Sequence, residues 1–491
     1  MAESARLTVV RRGIVFVAMA VAPAWGFVAC SSTDEPAAPP RQLLPVPVDA
    51  TDEDGHFPNP PVVGDGGDAD GDALAPSFVV ATGAGGQPDP AVATGDHSCA
   101  IAGPEHSVYC WGANDHGQAG TGVPDGGIGG FSNDIKTATK VATDEQGLPF
   151  SGIETLSLAA WHSCARRGTD LLCWGQRFTG AQAEPPAAAN PDRMRPRLVG
   201  AFPIADVSAA GPHTCILRGT GHIACFGHSF FDELGRSKAA DVTCTAPIFY
   251  DYPGLAGAPH TCSGEITDMA APTTGVQALA AGELHNCALI GGGVKCWGTN
   301  ATGQIGNPVS GVSELNPQDV LADPAAANKP LDGVTQIAAG GGKQTCAISA
   351  GKTFCWGSNG TGELGVSDPV ALPFRASAAA VPGMDAIGIG VGDGVSCAIK
   401  PDSTVWCWGA DDVGQLGDGV PKPFSSSPVQ VKGPGNIGFL TSVKSVAPGR
   451  RHVCARLVDL SVWCWGKNDR GQLGDGSGVD SLYPVKVKGI P

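Results

Sequence analysis

Cysteine and histidine are the residues of this chain whose spacing can support chemistry. Of 17 cysteines in 491 residues, 14 fall into seven couples: Cys99 and Cys110, Cys164 and Cys173, Cys215 and Cys225, Cys287 and Cys296, Cys346 and Cys355, Cys397 and Cys407, Cys454 and Cys464. Cys244 and Cys262 make a further couple, and Cys30 is left over. Such thiols either hold zinc or close disulfides. No CxxC occurs in the chain, which removes the usual chelating loop, and this many cysteines point to an oxidising compartment, so disulfides within the couples are expected. A histidine stands two residues before the first cysteine at His97, His162, His213, His285 and His452, while Gln344 and Val395 take that place in the other two copies. Five histidines could ring a metal, but each lies in a different copy and none has a second ligand at fixed spacing. A hydrogen-bonded structural histidine that orders the turn is the expectation, with no metal and no cofactor. GxSxG, HExxH, a phosphate loop and a dinucleotide fingerprint are all missing, and no acid/base pair of carboxylates stands out. No catalytic residue is assigned, and the chain is not read as an enzyme.

Hairpins are the elements that must position these couples. Folding Cys287 onto Cys296 sets Ile290 opposite Gly293 and leaves Gly291-Gly292 as a two-residue turn, where both residues accept positive φ. The same folding leaves Ala350-Gly351 between Cys346 and Cys355, and Gly168-Thr169 between Cys164 and Cys173. Elsewhere the loop is longer, as in Gly219-Thr220-Gly221 or Gly103 to His106, and the cysteines still stay opposite. Opposed cysteines at a non-hydrogen-bonded site are close enough to bridge, and each short loop so closed contributes on the order of 2–3 kcal/mol.

Each couple belongs to a larger repeat. Upstream lie small-residue strands: Leu158-Ala159-Ala160, Ala209-Ala210-Gly211, Ala280-Ala281-Gly282 and Ala338-Ala339-Gly340. After the second cysteine comes an aromatic: Trp111, Trp174, Phe226, Trp297, Trp356, Trp408 or Trp465. Asn114, Asn300, Asn359 and Asn468 then precede a glycine by three residues, which reads as turn chemistry. Small residues let strands converge on a common axis, and a large Trp fills the wider space between neighbouring sheets. Second cysteines recur at intervals of 52 to 71 residues, a blade-sized unit, and seven units can close a ring. Gly-Gln-Leu-Gly stands at Gly414 to Gly417 and Gly471 to Gly474, nearly so at Gly303 to Gly306 and Gly362 to Gly365, and the second copy departs most, with Gly180-Ala181-Gln182. Over about residues 91–491 this pattern resembles the regulator of chromosome condensation repeat family. The resemblance implies an all-β, seven-bladed β-propeller, and the paired cysteines look like those of secreted bacterial members. Pro484-Val485-Lys486-Val487-Lys488 repeats Pro428-Val429-Gln430-Val431-Lys432, but no small-residue strand follows it. It is therefore expected to close the ring by joining the first blade near Ala91 to Gly95.

Composition agrees with such a fold. Gly 71 and Pro 40 favour short strands over long helices, and 42% hydrophobic against 16% charged residues suits a chain with a core. A net charge of −16 argues against a nucleic-acid partner. Arg6, Arg11 and Arg12 precede an apolar run from Gly13 to Ala29, the order of a secretory signal over residues 1–30. Phe27-Val28-Ala29-Cys30 resembles the bacterial lipobox, with Phe27 where Leu is usual. Lipidation of Cys30 is expected, leaving the exported chain anchored to the bacterial cell envelope, at the outer membrane or cell surface. Residues 31–90 read as an acidic, Pro/Gly-rich disordered linker. Asp68-Ala69-Asp70-Gly71-Asp72 in it has Ala73 and Val79 where a calcium loop needs Gly and an acid, so it is a spacer.

The longest interval holds an insertion over 241–263, in which Cys244 and Cys262 enclose Phe249, Tyr250 and Tyr252. Two readings stand: a stapled loop that binds a partner through these rings, or one that packs them on its own blade. Trp406 and Trp463 precede their cysteines and should face the other side of the sheet, packing between blades. The function expected is a non-enzymatic, monomeric cell-envelope scaffold that binds a protein through propeller loops; the alternative is a carbohydrate-binding or carbohydrate-cleaving propeller. The name-giving family member exchanges nucleotide on a nuclear GTPase, a role that does not carry over to an exported, disulfide-laced chain. Other secreted propellers of this type bind proteins, among them an inhibitor of β-lactamases.

Overall fold

Runs of about six β-favouring residues, cut by glycine turns, build seven antiparallel sheets of consecutive strands. The computed structural model describes residues 79–81 and 97–491, apart from 123–133, 177–181, 184–192, 230, 237–241, 245–259, 270–274, 309–310, 323–328 and 367–368. Blade four shows the plan: an inner strand Val276–Ala281, then His285–Ile290, Gly293–Thr299 and an outer strand Ser313–Asp319. Its hairpin turns on Gly291 and Gly292 at φ 59° and 84°. The fold is a seven-bladed propeller. The inner strands, from Val79–Ala81 in blade one to Val443–Pro448 in blade seven, touch one another in sequence around the axis, and the last touches the first. Small residues permit this crowding. A methyl group at Gly340 would overlap the Val391 carbonyl, and one at Gly392 the Gly449 carbonyl. Among the described residues only Pro434–Asn436 is helical.

Ring closure differs from the sequence expectation. Ser481–Lys486 is the outer strand of blade seven, paired with Val462–Gly466 so that Val485 faces Cys464. It does not become the inner strand of blade one. That place belongs to Val79–Ala81, which pairs with His97–Ala102 and sets Ala81 opposite Cys99. The first strand thus lies inside the segment read as spacer, and Ala91 to Gly95 fall outside the described residues. The physical reason is locality: a strand separated by residues 82–96 pairs more readily than one from the far end of the chain. The chain end still reaches blade one. Ala138 N–H donates to Lys488 O at 2.9 Å, and Gly476 N–H to Lys136 O at 2.9 Å. Arg470 spans the seam, with Nη2 2.8 Å from Asp134 Oδ1 and Nη1 3.3 Å from Asp115 Oδ2.

Closure by side chains makes the seam sensitive to one residue. Arg470 and Asp134 are largely buried, so Arg470→Leu leaves a carboxylate unpaired and should cost about 3 kcal/mol in chemical denaturation. Arg451→Leu, which breaks an exposed pair with Asp412, should cost under about 1 kcal/mol. Equal losses for the two variants would contradict this account of the seam.

Candidate functional site

Strand register sets each cysteine couple directly face to face. Cys99, Cys164, Cys215, Cys287, Cys346, Cys397 and Cys454 stand opposite Cys110, Cys173, Cys225, Cys296, Cys355, Cys407 and Cys464. Seven disulfides join these pairs, with Cα atoms 4.0 Å apart in the first and 4.1 Å in the others. Cys262 is also disulfide-bonded. Its strand, His260–Asp268, carries a fifth strand, Val242–Cys244, on which Val242 faces Cys262 and Cys244 faces His260. The Cys244 side chain, Cys30, Phe249, Tyr250 and Tyr252 lie outside the described residues.

The described polar residues that recur in the repeat are occupied at the seams. They tie blades together. Each buried Trp donates its indole N–H to the carbonyl of the second residue in the preceding blade's Gly-Gln-Leu-Gly turn. The bonds are Trp111 to Gln472, Trp174 to Gln118, Trp297 to Glu233, Trp356 to Gln304, Trp408 to Glu363 and Trp465 to Gln415, all 2.8–3.0 Å. The Asn of each turn fixes it from within: Asn114, Asn300, Asn359 and Asn468 Oδ1 accept the backbone N–H five residues on. Asp411 does the same for Leu416. Phe226 is the one aromatic without a donor, and it faces the copy whose turn departs most from the pattern. That paired departure is the signal in the sequence that could have revealed the contact.

The histidines are hydrogen-bonded structural residues, but their side chains bond across the seam rather than within the turn. The His backbone closes the turn, as in Gly282 N–H to His285 O, but the side chain crosses to the next blade. His97 Nε2 meets Ser163 Oγ at 2.9 Å, His162 Thr214 Oγ1 at 2.8 Å, His213 Asn286 Oδ1 at 2.9 Å, His285 Thr345 Oγ1 at 2.7 Å, and His452 Ser98 Oγ at 2.7 Å. Ser163 Oγ–H donates to Gln118 O, so His97 must carry its proton on Nε2. Gln344 makes a substitute bond to Gly392 O, and Val395 shares an apolar cluster with Val453. Among the described residues no three His, Cys, Asp or Glu side chains converge as metal ligands. Trp406 and Trp463 are half-buried, donating to Thr404 Oγ1 and Ser461 Oγ, and Trp406 packs with Met384 of blade five.

With the interior occupied in this way, half of the large apolar residues exposed among the described residues stand in or beside the loops between third and fourth strands, and Leu148, Leu198, Ile387, Ile437, Phe439 and Val458 are exposed elsewhere. Val312, Val370, Phe374, Val420, Phe424 and Val479 are large apolar residues exposed there, in blades four to seven. They share one face, because the loops are equivalent in every blade. In the sequence, most of the 241–263 insertion falls in the corresponding interval of blade three, between Ile223–His228 and His260–Asp268.

The Regulator of chromosome condensation (RCC1) repeat model matches residues 402–456 and 461–491. The chain carries RCC1 repeats. The Ultraviolet-B receptor UVR8 of Arabidopsis thaliana is 25% identical over 360 residues, 72% of this chain and 73% of the receptor. E3 ubiquitin-protein ligase HERC2 of Homo sapiens is 25% identical over 386 residues, 77% of this chain but 7% of the ligase. Among solved structures, human WBSCR16 superposes with a TM-score of 0.61 at 20% identity, covering 78% of this chain and 94% of that one. Yeast RCC1 (Prp20), solved with Kap60 bound to it, gives 0.60 at 19%, covering 78% and 84%. These structures share the propeller fold with this chain.

The buried titratable groups make stability depend on pH. Burial, reinforced for His97 by its histidine neighbours, pushes His97, His162 and His285 from 6.5 down to about 3 and His452 to about 4, and lowers His213. The unfolded chain therefore binds more protons as pH falls below 6.5, and acid destabilises. Burial acts oppositely on two carboxyls, raising Asp206 to about 6 and Asp411 to about 7. Their stabilisation is present at low pH and fades as pH rises through those values. Five histidines against two carboxyls leave a net loss on acidification. Melting temperature should fall steeply from pH 6.5 to 4.5. His285→Gln, a residue the ring already accommodates at Gln344, should keep the fold and make the dependence shallower by about one proton. A melting temperature flat across this range would overturn the assignment.

Proposed function

We propose that this chain is an exported, non-enzymatic scaffold, held at the bacterial cell envelope by lipid on Cys30, that captures a protein on its third-to-fourth-strand loops. The observation that carries the reading is the exposed apolar arc of Val312, Val370, Phe374, Val420, Phe424 and Val479 on one face of four consecutive blades. Apolar side chains repeated on a rigid face mark interaction surfaces. In the sequence, Phe249, Tyr250 and Tyr252 fall between the third and fourth strands of blade three, the interval that carries the apolar residues in blades four to seven. Seven disulfides inside hairpins support an oxidising compartment. Proteins of this fold serve as binding partners elsewhere: yeast RCC1 is described bound to Kap60, and its binding to Gsp1p and histones is also described.

Two measurements test the reading. The mature membrane-fraction protein should begin at Cys30 with added acyl mass, and Cys30→Ser should release it to the soluble fraction; an unmodified N-terminus downstream of Cys30 would reject the anchor. Full-length protein carrying Val370→Asp, Phe374→Asp and Phe424→Asp should lose partner capture from envelope extract at an unchanged melting temperature. Capture retained by that variant would rule out this face.

A further inference from the structure

Blade six departs from its neighbours at one buried side chain. In blades four, five and seven the turn residue is Asn, and its carboxamide bonds at both ends. Oδ1 accepts the backbone N–H five residues on. Nδ2 donates into the following loop: Asn300 to Gly311 O at 3.0 Å, Asn359 to Leu372 O at 2.8 Å, and Asn468 to Val479 O and Asp475 Oδ1, both at 3.0 Å. Blade six has Asp411 there. Its Oδ1 keeps the first bond, to Leu416 N–H at 3.0 Å. Its Oδ2 stands where the others carry nitrogen, is fully buried, and has no hydrogen-bond partner. A buried polar atom in that state calls for an explanation.

Lys422 brings a nitrogen to that oxygen. Its Nζ lies 3.8 Å from Asp411 Oδ2 and also contacts Asp418 Oδ2. The side chains of Lys422, Asp411 and Asp418 are 25%, 0% and 14% exposed, so the three groups are largely withdrawn from water. Pro421 and Pro423 flank Lys422 and restrict its backbone. Asp411 N–H donates to Pro423 O at 3.0 Å, which holds the two segments side by side. Asp418 is held by Val420 N–H, on Oδ1 at 3.1 Å. Burial, with the Asp418 charge nearby, raises the Asp411 carboxyl to about 7 and so favours its acid form. An amine, a carboxyl and a second carboxylate held together away from water are the components of an amide condensation.

We propose that Lys422 Nζ and the Asp411 carboxyl are joined by an isopeptide bond in the mature protein. The ammonium and carboxylate first exchange a proton within the pair, giving amine and carboxylic acid. Nζ attacks Asp411 Cγ, and Asp418 takes one proton from the nitrogen. Asp418 passes that proton to Asp411 Oδ2, the Cγ–Oδ2 bond breaks, and Oδ2 leaves as water. One C–N bond forms and one C–O bond breaks, and no oxidant, reductant or co-reactant enters. Blade seven shows the geometry of the product. There Asn468 Nδ2 donates to Asp475, which follows the last glycine of its turn as Asp418 does in blade six. The new amide N–H would donate to Asp418 in the same way, and Oδ1 would still accept from Leu416 N–H. The bond thus gives blade six the side-chain amide that its neighbours have by sequence. A bonded Asp411 no longer titrates, so the acid sensitivity set by the histidines remains.

Peptide mapping of the full-length protein, reduced and alkylated, tests this. Residues 376–432 form one tryptic peptide, because Lys400 and Lys422 both precede proline. That peptide should weigh one water less than its sequence requires. Further cleavage before Asp412 and Asp418 should leave the pieces carrying Asp411 and Lys422 covalently joined. Joining separates this bond from a succinimide at Asp393-Gly394 or Asp418-Gly419, which also loses water but links nothing. Lys422→Arg keeps the cation without the amine, and should give the full mass and separate pieces. Asp418→Asn removes the proton carrier, and should lower the joined fraction in freshly prepared protein by at least about tenfold. A wild-type peptide of full mass, separate wild-type pieces, or joined pieces from Lys422→Arg overturns the bond. A joined fraction unchanged in Asp418→Asn overturns the part given to Asp418. The wild-type map decides the bond whether or not either variant folds, and neither result bears on partner capture at the loop face.

Discussion

One hydrogen bond recurs at the seams between blades and the rest of the fold is arranged to permit it: an indole N–H reaching into the turn of the preceding blade. To deliver it, the third strand must carry Trp immediately after its cysteine, and the turn must present a carbonyl at close range. Close range explains the glycines. Gly120, Gly235, Gly306, Gly365, Gly417 and Gly474 lie against the indoles of Trp174, Trp297, Trp356, Trp408, Trp465 and Trp111, and a Cβ on any of them would come to about 3 Å or less from Nε1. These glycines also hold positive φ, so both space and backbone shape exclude other residues. A Trp buried without this partner would leave a donor unsatisfied in the core, at a cost of about 1–3 kcal/mol.

Residues that meet across a seam change together. Phe226, which has nothing to donate, stands beside the turn containing Gln182, which instead donates Nε2 to Gln176 O. Val395, where five blades have histidine, clusters with Val453, where the others have Ser, Thr or Asn. Where the turn has Glu rather than Gln, a donor appears on the same blade: His228 Nδ1 lies 2.9 Å from Glu233 Oε1, and Ser358 Oγ donates to Glu363 Oε1 at 2.7 Å. Replacing both partners together avoids stranding one polar group in the interior. The carbonyl that the Trp needs belongs to the backbone, so Gln and Glu serve equally.

This explains what was legible in the chain. The cysteine spacing and turn glycines are local, so hairpin register could be counted off residue by residue, and the repeat number gave the ring. The partners of Trp111 and His452 lie more than 350 residues away in sequence, across the closing seam, and no spacing rule reaches them. Closure was misread for a related reason. The resemblance of Pro484 to Lys488 to the earlier outer strand was sound, and that likeness itself makes it an outer strand of its own blade. The inner strand of blade one, only three residues long and set in an acidic, proline-rich stretch, carries too little pattern to stand out. Arg470 gave no signal because its two acids, Asp115 and Asp134, come from a different blade.

The same constraint decides where recognition can evolve. Interior polar atoms are committed to neighbouring blades, and changing one demands a matching change across a seam. The inner strands carry the same requirement, since Ser157 Oγ accepts from Ala209 N–H and Ser208 Oγ from Ala281 N–H on the next blade, whereas the exposed loops do not. One departure from regularity falls there: the insertion between the third and fourth strands of blade three. It disturbs no Trp bond, since Trp297 still reaches Glu233 O on the insertion-bearing blade. A propeller tied at its seams by paired contacts can therefore vary its loops without loss of the ring.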